Sequence, residues 1–313
     1  MNILILGGGG YVGTPLVLKL IKNKKNKITV VDTFWFGNFL KKNKQLKVVK
    51  KDIRDIEEKY FRGIGCIIHL ANIANDPAVD LNPNLSWEVN VVSSMKIMKF
   101  AIKHKVKKFI FASSGSVYGL KKEKKVTENL DLVPLSVYNK TKMIAERVFM
   151  SFKDKMRINC IRPATVCGIS PRMRFDLSVN LLTLEAIQKK QITVFGGNQI
   201  RPNIHIQDMI RVYEFFLKRN LPSGFYNAGF ENLKIIKIAK MIQKKINVKI
   251  KIIKSNDPRS YRQDSSKLLG LGFKKKYGVI DAIHELIALN KEKKIKTNIC
   301  NFTVKCMKKL KIK

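Results

Sequence analysis

Ser114, Tyr138 and Lys142 are the residues of this chain whose types and spacing could move a proton. Ser114 follows the apolar run Phe109-Ile-Phe-Ala-Ser113, and Tyr138-Asn-Lys-Thr-Lys142 comes 24 residues after it. A tyrosine and a lysine at i and i+4 share one face of a helix. An ammonium beside a phenol favours the phenolate, so the pairing predicts a Tyr138 drawn down towards neutrality. Such a tyrosine exchanges a proton with an alcohol or sugar hydroxyl during hydride transfer. Ser114, at the carboxyl end of a strand on the same rim, would hold that hydroxyl in line. Taken alone, the tyrosine–lysine spacing is common and equally describes a surface pair.

Hydride transfer needs a dinucleotide, and the N-terminus carries a pattern for one. The run Asn2-Ile-Leu-Ile-Leu6 leads into Gly7-Gly-Gly-Gly10-Tyr11-Val12-Gly13-Thr14, with glycine at the first, fourth and seventh positions of a GxxGxxG pattern. Glycine serves where the chain turns sharply, touches a diphosphate or packs helix against strand, and the helix N-terminus adds free N–H donors. A glycine-rich strand-to-helix turn can also be purely structural. Asp32 closes the next strand, Lys27-Ile-Thr-Val-Val-Asp32, 19 residues beyond Gly13. A carboxylate there takes the adenosine ribose hydroxyls and repels a 2′-phosphate, which favours NAD over NADP despite the nearby Lys41, Lys42 and Lys44. In Lys51-Asp52-Ile53 a polar side chain could reach the adenine edge; a plain turn aspartate fits the spacing as well.

Alternating strands and helices must position these residues. Val/Ile/Leu-rich runs at 2–6, 28–32, 46–49, 66–70, 108–112 and 157–162 read as strands buried on both faces. Helical spacing separates them over Tyr11–Lys22, Ser86–His104 and Tyr138–Phe152. The alternation predicts an α/β fold, a Rossmann doubly wound parallel sheet with right-handed crossovers and its ligand at the carboxyl ends of the strands. Beyond residue 165 the texture changes to a helix at 176–190, a strand Ile192–Phe195, a helix from Gln207 and mixed pieces. We read 1–165 as the NAD-binding domain, 166–290 as mainly a smaller substrate lobe with segments returning to the sheet, and 291–313 as a Lys-rich tail. For that tail, an added helix and a frayed end fit equally.

Composition narrows the class. The chain has 313 residues, 45% of them hydrophobic, enough for a substantial core. No window approaches the roughly 18 uncharged apolar residues of a membrane helix, and Met1 runs straight into a strand; a soluble cytoplasmic protein is expected. Lys and Arg number 62 against 23 Asp and Glu, a net charge of +39. The lysines gather beside loops and helix ends without interleaved aromatics, which favours a solvated, compositionally biased surface over nucleic acid or membranes. Cys66, Cys160, Cys167, Cys300 and Cys306 show no metal spacing, so reduced thiols and no structural metal are expected. Cys167, His69 and His205 read as core residues.

Taken in order, the glycine loop, Asp32, Asp52-Ile53-Arg54-Asp55, Ile68-His69-Leu70-Ala71, Asn90, Ser113-Ser114-Gly-Ser-Val-Tyr118-Gly119 and Tyr138-Asn-Lys-Thr-Lys142 carry a resemblance. Over about residues 1–285 the chain resembles the extended short-chain dehydrogenase/reductase family, in its nucleotide-sugar epimerase/dehydratase branch. The resemblance implies Tyr138 as acid/base, Lys142 as the residue that orients the nicotinamide ribose, and Ser114 as the one that binds the reacting sugar oxygen. It implies NAD held by Gly7, Gly10, Tyr11, Val12, Gly13, Asp32, Asp52, Ile53, Leu70, Ala71, Asn72, Asn90 and Pro163, besides Tyr138 and Lys142. For a nucleoside-diphosphate sugar it implies Ser116, Asn180, Val194 and Phe195, with Arg201 and Arg259 as phosphate clamps. A homodimer formed through two long helices is expected by the same analogy.

The branch runs several reactions from a sugar whose C4 hydrogen faces the nicotinamide. Its 4,6-dehydratases carry an acidic pair directly after the serine or threonine, where this chain has Gly115 and Ser116. Elimination of water is therefore disfavoured. The resemblance then implies an epimerase working through a transient 4-keto sugar. A 4-ketoreductase with exchangeable cofactor and an NAD-responsive binding protein are the alternatives.

Overall fold

In the computed structural model, which describes residues 1–255 and 260–312, no side chain from Ile3 to Leu6 is exposed. Strand alternation explains the unbroken apolar run. Ile3 and Ile5 join one core cluster, whereas Leu4 and Leu6 join a second on the opposite face of the sheet. The strands are β1 (Asn2–Leu6), β2 (Lys27–Asp32), β3 (Leu46–Lys50), β4 (Cys66–His69), β5 (Lys108–Ala112), β6 (Arg157–Pro163) and β7 (Thr165–Cys167). After them come β8 (Gln191–Phe195), β9 (Ile200–His205), β10 (Gly224–Ala228), β11 (Glu231–Lys234) and β12 (Lys249–Ile253).

Seven of them form one parallel sheet in the order β10-β6-β5-β4-β1-β2-β3. The helices Gly13–Leu20 and Ile206–Lys218 bury residues in one cluster, and Ser93–Lys103 and Val137–Met150 in the other. This is the Rossmann arrangement, with a crevice where the strand order reverses beside β1. The expected helix 86–104 is interrupted by a π-helical turn, Glu88–Val92, whose extra residue turns Asn90 into the protein.

Two small sheets, β11-β9-β7 and β12-β8, surround a third cluster built with the helices Ser178–Lys189, Ile235–Gln243 and Val279–Lys291. β10 returns from this part of the chain to pair with β6. Lys108 ties the helix Ile206–Lys218 to the sheet. Its buried Nζ donates to the carbonyls of Phe216, Leu217 and Arg219 at 2.8–2.9 Å, closing a helix end that has no intrahelical donors left.

The described part of the tail, to Ile312, carries secondary structure. A 3-10 turn, Ile299–Asn301, and a helix, Thr303–Lys309, fold back onto the body, where Cys306 is fully buried and Met307 is 2% exposed. Cys300 and Cys306 are joined as a disulfide, which corrects the expectation that every cysteine is a free thiol; their Cα atoms lie 4.6 Å apart across the turn. Odd-number and spacing arguments miss a pair that a single helical turn brings together. Cys66, Cys160 and Cys167 are free and buried.

Arg162 on β6 and Glu146 on the helix Val137–Met150 form a bidentate pair at 2.9 and 2.8 Å, with side chains 2% and 0% exposed. Removing one partner strands a charge in the interior. Glu146→Leu is expected to lower unfolding stability by about 3–5 kcal/mol, and adding Arg162→Met to recover most of it. Urea unfolding of the two variants checks this; a double variant no better than the single one would contradict it.

Candidate active site

One cavity of about 440 Å³ opens at the carboxyl ends of β1, β2, β4 and β5, in the size range of small-molecule sites. Gly7 shapes its floor. With φ of +83° and a position where a Cβ would lie 2.3 Å from the amide nitrogen of Ala71, it admits no side chain. A Cβ on Gly13 would lie 2.5 Å from the Gly7 carbonyl, so helix and strand pack there with nothing between them. At Gly10 a Cβ would meet only Gly7 O, at 3.6 Å, so the loop stands open to the cavity with Tyr11, Val12 and Gly13 on the same wall. This cradle fits a dinucleotide diphosphate.

Asp32 braces the cradle. Its carboxylate accepts from Gly9 N at 2.8 Å and Phe34 N at 2.7 Å, joining the glycine loop to the loop after β2. Burial raises its pKa, and these backbone donors pull against the rise. Asp52 and Ile53 also line the cavity. Asp52 is the turn aspartate as well, since its side chain caps the 3-10 turn Ile53–Asp55 through Arg54 N at 2.9 Å. Leu70, Ala71, Asn72 and Pro163 complete this part of the wall.

Ser114, Ser116 and Tyr138 stand together on the wall. Ser114 Oγ lies 2.7 Å from Ser116 Oγ, which donates to Asn139 Oδ1 at 2.6 Å. Ser136 caps the tyrosine helix, its Oγ accepting from Asn139 N at 3.2 Å, and donates to Asp76, a carboxylate of the same cavity. Burial pushes the Tyr138 phenol up to about 12, opposed by its hydrogen bond with Ser114. Burial, not Lys142, dominates this phenol, in place of the depression that the spacing predicts. Lys142 is 1% exposed, lies behind the wall and donates from Nζ to Ala112 O at 2.7 Å, above the Phe111 ring. Burial pulls this lysine down to about 7, against Glu146, which raises it.

The other expected residues divide by position. Asn90 stands off the wall; its side chain holds Ile73 N at 2.8 Å and Thr141 Oγ1 at 3.1 Å, bracing the 70–75 loop against the tyrosine helix. Asn180 is buried and bonds Gly168 N at 3.0 Å and Tyr11 Oη at 3.0 Å, so it links the glycine loop to the lobe and does not line this cavity. Val194 is buried in the lobe core, and Phe195 is 57% exposed at the end of β8; neither reaches the cavity, because alternation points one inward and the other to solvent. Arg201 lines the cavity, and Arg259 lies outside the described residues.

His69 is buried among Phe109, Phe111 and Phe149, and that burial lowers it to about 3. Among the described residues no cluster of His, Cys, Asp or Glu fits a metal ion, and no helix is long and apolar enough to cross a membrane. Sequence reading missed Trp35, Phe36, Asp76, Arg172, Thr303 and Met307, all on the cavity wall. The two arginines of Ser170-Pro-Arg172-Met-Arg174 were a signal for one of them.

The model of the NAD dependent epimerase/dehydratase family matches residues 3–229. An uncharacterized UDP-glucose epimerase, YtcB, of Bacillus subtilis is 31% identical over 268 residues, covering 78% of this chain and 81% of its own length. A UDP-glucose 4-epimerase of Lactobacillus helveticus is 26% identical over 90% of this chain and 94% of its own. The crystal structure of UDP-glucuronic acid 4-epimerase from Bacillus cereus in complex with NAD superposes with a TM-score of 0.82 at 26% identity, covering 94% of this chain and 100% of that one. With its glycine cradle, Asp32, and Ser114 and Tyr138 on one wall, this chain belongs to the NAD dependent epimerase/dehydratase family.

Proposed function

We propose that the protein epimerises a nucleoside-diphosphate sugar at C4, using NAD that stays bound through the cycle. The carrying observation is the convergence of Ser114 and Tyr138 on the cavity that also holds the glycine cradle and Asp32. Relatives named as UDP-glucose 4-epimerases support a UDP-sugar as the substrate class. NAD, when bound, supplies the hydride acceptor and donor.

The chain's residues manage the proton. Ser114 Oγ holds the sugar hydroxyl, and Tyr138 Oη takes its proton as the C4 hydrogen leaves. The resulting 4-keto sugar rotates, and Tyr138 returns the proton to the oxygen as hydride arrives on the other face. Burial raises the Tyr138 phenol, so the transfer needs a group that favours the phenolate; Lys142, one helical turn away, meets that need only in its protonated form, to which an anionic phenolate would in turn draw it. Arg201, on the wall, serves the sugar's diphosphate. Val92 and Met95, 64% and 53% exposed beside the tyrosine helix, offer apolar surface for the homodimer the family resemblance implies.

Two outcomes are expected. Tyr138→Phe should lower epimerisation of the UDP-sugar by several orders of magnitude while NAD+ remains bound, measured by product analysis and by chromatography of nucleotide released on denaturation. Turnover retained in the variant would remove the mechanism, and purified protein that lacks NAD+ but binds NADH reversibly would point to a ketoreductase.

Lys142 sets the second. Its folded pKa of about 7 lies below the unfolded value of about 10.4, so between them the unfolded chain holds a proton that the folded chain does not. Stability of nucleotide-free protein should therefore rise with pH across that window. Lys142→Met should show a smaller gain than the wild type in urea unfolding between about pH 7 and about pH 9.5. Equal gains would mean Lys142 is not held neutral.

A further inference from the structure

Arg172, between β7 and the helix Ser178–Lys189, is 3% exposed and lies on the cavity wall. Its guanidinium carbon sits 4.0 Å from the Phe36 ring centroid, and Nη2 donates to Thr303 Oγ1 at 3.3 Å. Nε and Nη1 have no partner. Two unmade donors on a buried cation are costly unless a ligand completes them. Burial and the neighbouring Arg174 pull its pKa down to about 9, while Asp176, Tyr11 and Asp32 pull it back. Arg172 thus stands within electrostatic reach of Tyr11 in the glycine loop and of Asp32 at the ribose position.

We propose that Arg172 is a phosphate-binding residue of the cofactor site, its Nε and Nη1 donating to the diphosphate of the dinucleotide. This rests on the NAD reading above. A guanidinium fork matches two phosphate oxygens, and the glycine cradle supplies backbone amides but no full charge. The 2′-phosphate of NADP is the other phosphate source at this end of the cavity. Asp32 opposes it by like charge, which leaves the diphosphate as the ligand.

The tail makes the site complete. Thr303 N donates to Asp176 Oδ2 at 3.1 Å, and Phe175 N donates to Asn301 O at 2.9 Å, so the C-terminal segment is pinned to the loop that carries Arg172. Thr303 is a positioning residue for the guanidinium.

Calorimetric titration of nucleotide-free protein with ADP-ribose, NAD+, NADP+ and adenosine tests the assignment. Arg172→Met should weaken ADP-ribose and NAD+ by about ten- to a hundredfold, leave adenosine unchanged, and be partly rescued by Arg172→Lys. ADP-ribose affinity equal to that of the wild type overturns the proposal. So does equal weakening of adenosine, which marks a distorted pocket, and a loss confined to NADP+, which assigns Arg172 to the 2′-phosphate. Wild-type protein that binds neither NAD+ nor ADP-ribose would instead remove the cofactor reading itself.

Discussion

The pair of Arg162 and Glu146 is the contact on which the rest of the site depends. Arg162 is among the largest fully buried side chains, and its Nη1 also donates to Tyr118 Oη at 2.8 Å. Tyr118 Oη in turn donates to Asn227 Oδ1 at 2.8 Å, on β10. One guanidinium thus fixes β6, the 3-10 turn after Ser114, the tyrosine helix and the edge strand relative to one another. Ser114 and Tyr138 arrive from different elements, and this network sets their separation. An apolar trio of equal volume could stabilise the fold as well, but it would not fix the rotation of the helix that carries Tyr138.

Buried cations follow a gradient across the molecule. Arg162 has a carboxylate and a phenol, and Lys108 has three carbonyls. Lys142, just behind the cavity, has one carbonyl and an aromatic face. Arg172, on the wall, has one hydroxyl and an aromatic face. Cations that build the fold are saturated with partners, whereas those near the cavity keep donors in hand. A buried donor left unmade costs stability, and only a ligand's repeated presence offsets that cost. The same logic gives the +39 chain no role for most of its lysines: Lys108 and Lys142 are the only buried ones among the described residues.

Sequence made most of the sheet legible because parallel strands covered on both faces give unbroken Val/Ile/Leu runs: the six expected strands formed, within about one residue at their ends, although the edge strand β3 is largely exposed rather than buried, and the seventh, β10, was not foreseen. The need for glycine at positions 7 and 13 was legible because sterics at a tight turn act over a few residues. Asn180, Val194 and Phe195 were not, because their expected roles depend on how the lobe meets the sheet, which short-range pattern does not encode. Thr303 and Met307 gave no signal at all. They reach the cavity only because the tail folds back across a long stretch of chain, and a Lys-rich segment with loose helical spacing looks alike whether docked or free.

Gly115 shows how the network restricts the chemistry. A Cβ at this position would stand 3.1 Å from Gln263 Oε1, 3.2 Å from its Nε2 and 3.2 Å from Pro163 O. Gln263 is not free to yield, because Nε2 donates to Arg162 O at 2.6 Å and to Asn227 Oδ1 at 3.0 Å. A side chain at position 115, as an acid beside Ser114 would need, therefore presses by a few tenths of an ångström on Gln263, which is bonded to the carbonyl of the same arginine. The small residue at position 115 thus fits the packing of Gln263 against Arg162 and Asn227.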